Sequence, residues 1–168
     1  RRRENDVAYL GLRSLKRESS DRLVSRLLKD RSITVTAEQL GDLVNLCDGH
    51  PFNFYRMIEE IEQRGVGPFL ANPKEFIDWK HRQSSEYLNK IPLTHEDKLI
   101  LSLLVLVPEL DFDAIVAALP IDSANASDAL LRLASLHVVE VDAEWGTISP
   151  ALRTAVGGDS RIGLGGSI

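Results

Sequence analysis

Apolar positions recur at helical spacing through most of the chain and change to alternation only near its end. Leu23, Val24, Leu27 and Leu28 form one face, which predicts a helix capped at Ser19 or Ser20 and running to about residue 29. Thr36-x-x-Gln39 has the form of a capping box and opens a second helix with Leu40, Leu43, Val44 and Cys47 inward. Gly49 accepts the positive φ that ends a helix, and Pro51 supplies the fixed φ of a first turn, so the next helix opens at once. This third helix reaches Gly65, with Phe54, Met57, Ile58 and Ile61 inward and Glu59, Glu60 and Glu62 outward. Gly65-Val66-Gly67-Pro68 reads as a break. Asn72 then caps a fourth helix with Pro73 in its first turn, packed through Phe76, Trp79, Tyr87 and Leu88 and ended by Pro92. Residues 1–92 therefore read as a small helical bundle.

The second part has a different rhythm. Thr94-x-x-Asp97 caps a helix over 96–107 that is apolar around most of its circumference, and Pro108 stops it. Asp111 or Asp113 begins a short helix over 114–119, and Asn125-x-x-Asp128 begins a third, with Leu130, Leu131, Leu133, Ala134 and Leu136 buried. Val139 and Val141 then alternate with Glu140 and Asp142, Ala143-Glu144-Trp145-Gly146 turns the chain, and Thr147-Ile148-Ser149 returns. Pro150 opens a last turn over 151–156. Three helices followed by a β-hairpin is the order of a winged helix, so 93–156 read as a winged-helix domain. Residues 157–168, with five glycines, read as a linker or tail. The fold class is mainly α.

Composition narrows the function. A chain of 168 residues, 43% hydrophobic and 27% charged, is ordinary for a globular protein, and no apolar run reaches the roughly 18 residues of a membrane span. Arg1-Arg2-Arg3 is followed by charges rather than an apolar segment, so no signal peptide is expected. The single cysteine, Cys47, excludes internal disulfides and suits a reducing compartment, with the cytoplasm as default. The net charge of −5 is uneven: residues 1–93 carry 16 basic against 14 acidic side chains, whereas 94–156 carry 3 against 10. A winged helix this acidic is a poor electrostatic footprint for DNA, which is held through Lys and Arg on its phosphates.

Few residues carry chemistry. His50, His81, His95 and His137 lack metal-ligand spacing, the serines lack a His/Asp arrangement, and no phosphate loop occurs. Gly163-Leu164-Gly165-Gly166 follows no strand, so it reads as linker. Gly49-His50-Pro51 has two readings: helix punctuation, or a flat proline edge for a base beside amides that can meet phosphate. Arg1 to Arg3 are a solvated run or the end of a strand reaching a phosphate. Trp145 at the wing tip either folds back or contacts another domain.

The order of these segments resembles a known family. Tyr9-Leu10-Gly11-Leu12-Arg13-Ser14-Leu15 with Leu27-Leu28 is similar to the entry of the helical lid, of AAA+ type, in STAND NTPases, the NB-ARC and NACHT-like signalling ATPases. Leu43-Val44-Asn45-Leu46-Cys47-Asp48-Gly49-His50-Pro51-Phe52 resembles that family's Gly-x-Pro motif. The segment from Leu130 to Val139 resembles its third winged-helix helix and first wing strand, and Ile148-Ser149-Pro150-Ala151-Leu152-Arg153 the segment that closes the domain. The resemblance implies a binding set of Gly49, His50, Pro51 and Ser149 for ADP or ATP, with Pro51 against adenine. Ser149 stands where many members carry an ADP-facing histidine. Mg and the phosphates would be held by a Walker-containing core placed before residue 1. It further implies contact with that upstream domain, oligomerisation on activation, signalling roles such as antiphage defence, and no catalytic residue in this chain. Two other readings remain: a winged-helix DNA regulator or origin-recognition-like AAA+ part, and a plain helical interaction module.

Overall fold

Two capping boxes organise the molecule, one in each half. In the computed structural model, which describes residues 14–142 and 145–162, Thr36 Oγ1 accepts from the Gln39 amide while Gln39 Oε1 accepts from the Thr36 amide (3.1 and 2.9 Å). Thr94 and Asp97 repeat the exchange at 3.3 and 2.9 Å. Each satisfies amides that a helix leaves orphaned at its start. The arginine run, the apolar string 7–10, most of the lid-entry segment and the glycine run 163–166 lie outside the described residues.

The first half contains α1 (Arg17–Asp30), α2 (Ala37–Leu46), α3 (Pro51–Arg64), α4 (Val66–Ala71) and α5 (Lys74–Asn89). Val24, Leu28, Leu43, Cys47, Phe54, Met57, Ile58, Phe69 and Phe76 belong to its core, and all but Phe69 lie on the predicted stripes. Several boundaries differ from expectation. Helix α1 starts at Arg17 without a side-chain cap, so Ser19 and Ser20 lie inside it and Ser20 is buried. Glu60 points inward between Arg56 and Arg64, one turn before and one turn after, whose guanidinium groups lie 3.4 and 3.7 Å from its carboxylate. The glycine-rich break is one residue long. Gly65 takes φ +83°, and α4 follows immediately because Phe69 packs edge-to-face on Phe76, 5.7 Å between ring centres. Asn72 does not cap α5. Pro73 holds the cap position without a side-chain bond, and the Asn72 carbonyl accepts from Arg64 instead.

The second half contains α6 (His95–Leu106), β1 (Glu109–Asp111), α7 (Phe112–Ala118), α8 (Ser123–Ser135), β2 (Val139–Asp142) and β3 (Trp145–Ile148). A 3₁₀ turn (Pro150–Leu152) and α9 (Arg153–Gly158) close it. The sheet is antiparallel in the order β1-β3-β2. Strand β1 was not expected from the sequence, and it turns the hairpin into a three-stranded sheet. Trp145, expected in the turn, pairs instead with Asp111 and Asp142 as the first residue of β3; residues 143 and 144 lie outside the described set. Asp111 caps α7, one of the two expected caps, but α8 is capped by Asp122 rather than Asn125. Leu131 is 67% exposed rather than buried, because the inward stripe of α8 runs through Ala126, Ala129, Leu130 and Leu133.

The tail also differs. Arg161 donates through Nη1 and Nη2 to the Ile91 and Leu88 carbonyls (3.1 and 2.9 Å), and Ile162 is buried. Residues 157–162 therefore complete the second core and are no linker. The boundary at 92 moves as well. Helix α5 gives Phe76 to the first core and Leu88 to the second, where Ile91 joins it, so the two halves share a helix. The fold is mainly α with a small antiparallel sheet. No helix among the described residues is long and apolar enough to cross a membrane.

Candidate ligand junction at Gly49-His50-Pro51

Helix α2 ends at Leu46 because the chain turns through two left-handed residues, Asp48 at φ +52° and Gly49 at φ +70°. Aspartate tolerates that region better than most side chains, and glycine enters it freely. His50 is extended and Pro51 starts α3, with the histidine making no side-chain cap. Three groups hold the turn. The Leu15 amide donates to the Gly49 carbonyl at 2.8 Å, and Asn53 Nδ2 donates to the Cys47 carbonyl at 3.0 Å. Lys80 Nζ, reaching from α5, donates to the Leu46 carbonyl and pairs with Asp48 at 2.5 Å. The Lys80 side chain is only 11% exposed while Asp48 keeps 37% of its surface in water, so the lysine end of the pair is built into the turn and the carboxylate end is solvated.

Burial pushes the Cys47 thiol far above its usual range, outweighing the Lys80 charge, and its Sγ lies 3.5 Å from Met57 Sδ; the thiol stays protonated and inert. His50 is half-buried, and its Nδ1 has no hydrogen-bond partner among the described residues. Burial lowers its pKa. The folded state thus prefers neutral His50, and its contribution is complete above the ordinary value of about 6.5 and shrinks as pH falls through it. Acidification from pH 7.5 to 5.5 is therefore expected to lower the urea midpoint, and His50→Gln to flatten that slope. Asp159, whose carboxylate pKa is lowered by its bonds to Arg161, contributes stability above the ordinary carboxylate range and loses it only at more acid pH. An unchanged slope in His50→Gln would remove the histidine from this account.

Gly49, His50 and Pro51 are contiguous, but Ser149 lies with the other core. It is buried, its amide donates to the Val138 carbonyl at 2.9 Å, and its side chain caps nothing. Helix α5 links the two places: Lys80 braces the junction, and one turn later Ser84 Oγ donates to the Ala151 carbonyl at 2.8 Å, two residues from Ser149. No group of three or more His, Cys, Asp or Glu side chains that could hold a metal occurs among the described residues.

Two features were not anticipated. Phe52 is 59% exposed beside Pro51, its ring 5.8 Å from Trp79, and the Arg56 guanidinium lies 5.7 Å from that indole. The available signal was that Phe52 falls off the buried Phe54-Met57-Ile58-Ile61 stripe. Lys80 gave no signal, since its partners lie over thirty positions away. Comparison with family models, with curated proteins and with solved structures returns no match.

Proposed function

We propose that this chain is the helical lid and winged-helix segment of a STAND-type ATP/ADP-dependent signalling switch. The observation that carries the reading is the brace at the Gly49-His50-Pro51 turn: the helix that holds the turn through Lys80 is the one that enters the winged-helix core through Leu88. A nucleotide touching Pro51 would thereby act on the winged helix, the coupling such a switch requires. The exposed Phe52 and Tyr55 fit a surface covered by the upstream nucleotide-binding domain. ADP would hold the segment against that domain, and exchange for ATP would release it for homo-oligomerisation, in the cytoplasm and with Mg held outside this chain. With Ser149 in place of a histidine, ADP sensing rests on packing of the closing segment.

DNA reading is disfavoured, because Arg132, the basic residue of α8, is engaged by Asp97 and Thr94. The first test is the reading frame upstream of Arg1, where a Walker loop is expected within roughly 150 residues, one domain's length. In that full-length protein, Pro51→Ala is expected to weaken ADP retention about tenfold while changing stability by less than about 1 kcal/mol. Absence of a phosphate loop, or loss of stability with ADP retention intact, sinks the proposal.

A further inference from the structure

The wing sheet turns one face to the core and the other outward. Gly146 faces inward, since a Cβ there would meet Leu130 and Ile115 at 3.7 and 3.8 Å, and Ile148 is fully buried. Alternation along a strand then turns Trp145 and Thr147 outward, and residues directly opposite in neighbouring strands share their face. The register places Asp111 and Asp142 on either side of Trp145, and Glu109 and Glu140 on either side of Thr147. The outer face is thus two rows of three, with an indole that is 47% exposed flanked by carboxylates.

Among the described residues no salt bridge reaches Glu109, Asp111, Glu140 or Asp142, although Asp111 also caps α7. Glu140 Oε1 is shielded from solvent and has no donor among the described residues. Among the described residues, Arg153 touches this face through Nη2 to Thr147 Oγ1 at 3.0 Å. An exposed tryptophan among acids that no salt bridge reaches among the described residues is a poor solvated surface, but it matches a cation that can lie over the ring while its neighbours meet carboxylates.

We propose that the outer face of this sheet docks a basic, extended segment of another protein, with one Arg or Lys over Trp145 and flanking cations on Glu109, Glu140 and Asp142. Charge complementarity selects the partner: the acids repel phosphate and so exclude nucleic acid, and they lie in the half that carries the chain's negative excess. Spacing selects its form. Same-face side chains on an extended strand repeat every second residue, about 6.8 Å, which matches two neighbouring rows of the sheet. This inference stands independently of the nucleotide reading.

The test is titration of the labelled protein with the peptide Arg-Thr-Arg-Thr-Arg-Thr, followed by NMR shifts and calorimetry. Shifts are expected at the Trp145 indole and at residues 109–111, 139–142 and 145–147. Glu140→Gln with Asp142→Asn is expected to weaken binding at least fivefold, as is Trp145→Leu. The charge-matched control on α2, Glu38→Gln with Asp42→Asn, should stay within twofold. Dispersed spectra verify folding, and either face variant suffices if the other unfolds. Absence of shifts on the sheet, or equal weakening by the control, overturns the proposal.

Discussion

Replacing Gly49 with alanine is expected to destabilise the protein by about 2–4 kcal/mol, combining left-handed backbone strain with a clash that the structure cannot relax. At φ +70° an L side chain is disfavoured to begin with. Its Cβ would also lie 2.7 Å from the Leu15 carbonyl oxygen and 3.2 Å from the Leu15 nitrogen, both backbone atoms. Relief requires moving the incoming chain, which breaks the Leu15 bond to the Gly49 carbonyl. Gly67→Ala is the contrasting case. That position is helical with nothing within 4 Å of the new methyl, so the change is expected to be neutral or stabilising by up to about 1 kcal/mol. Urea midpoints of the two variants decide the matter, and a loss below about 1 kcal/mol for Gly49→Ala would mean that the entry of residues 14–15 yields easily.

Removal of the Asp97 carboxylate has the second large effect, about 3 kcal/mol. Asp97 is fully buried and accepts from the Thr94 amide and from Arg132 Nε and Nη2 at 3.2 and 2.6 Å. Alanine loses the capping box, worth about 1 kcal/mol, and strands a guanidinium built around that carboxylate. The loss falls short of a fully buried pair because the Arg132 side chain is 39% exposed and can recover water. Asp97→Asn, which can keep the cap but not the charge, is expected near half the effect. A double-mutant cycle with Arg132→Ala measures the coupling, and simple additivity would show that the pair contributes nothing beyond the cap.

These two sites also show what a sequence makes legible. Both capping boxes read correctly because each partner lies three residues from the other. The core stripes of α1 to α3 read correctly because their period is set within one helix. Strand β1 did not, since three residues of Glu-Leu-Asp become a strand only through pairing with Thr147, Gly146 and Trp145, over thirty positions away. The tail misled for the same reason. Its glycines suggest a linker, yet Arg161 finds carbonyls seventy residues earlier. The cap of α8 was missed by three residues: Asp122 holds it instead of the expected Asn125, and burial of Ala126 favours the earlier start. At the candidate junction the local turn, Gly49 then Pro51, was legible, while its brace at Lys80 was not. Ser149 was picked out by resemblance, and its burial in the other core is a tertiary fact.

The shared helix has a genetic consequence. α5 is 16 residues, about 24 Å, with one end sealed into each core. A gene fragment beginning at residue 93 would encode a second half lacking Leu88 and Ile91, and one ending before residue 74 a bundle lacking Phe76 and Trp79. Neither half can be inherited, shuffled or expressed with its interior intact unless it takes the same helix along. Recombination that separates them must duplicate α5, and variation on either side is filtered through the fit of that one helix to two different interiors.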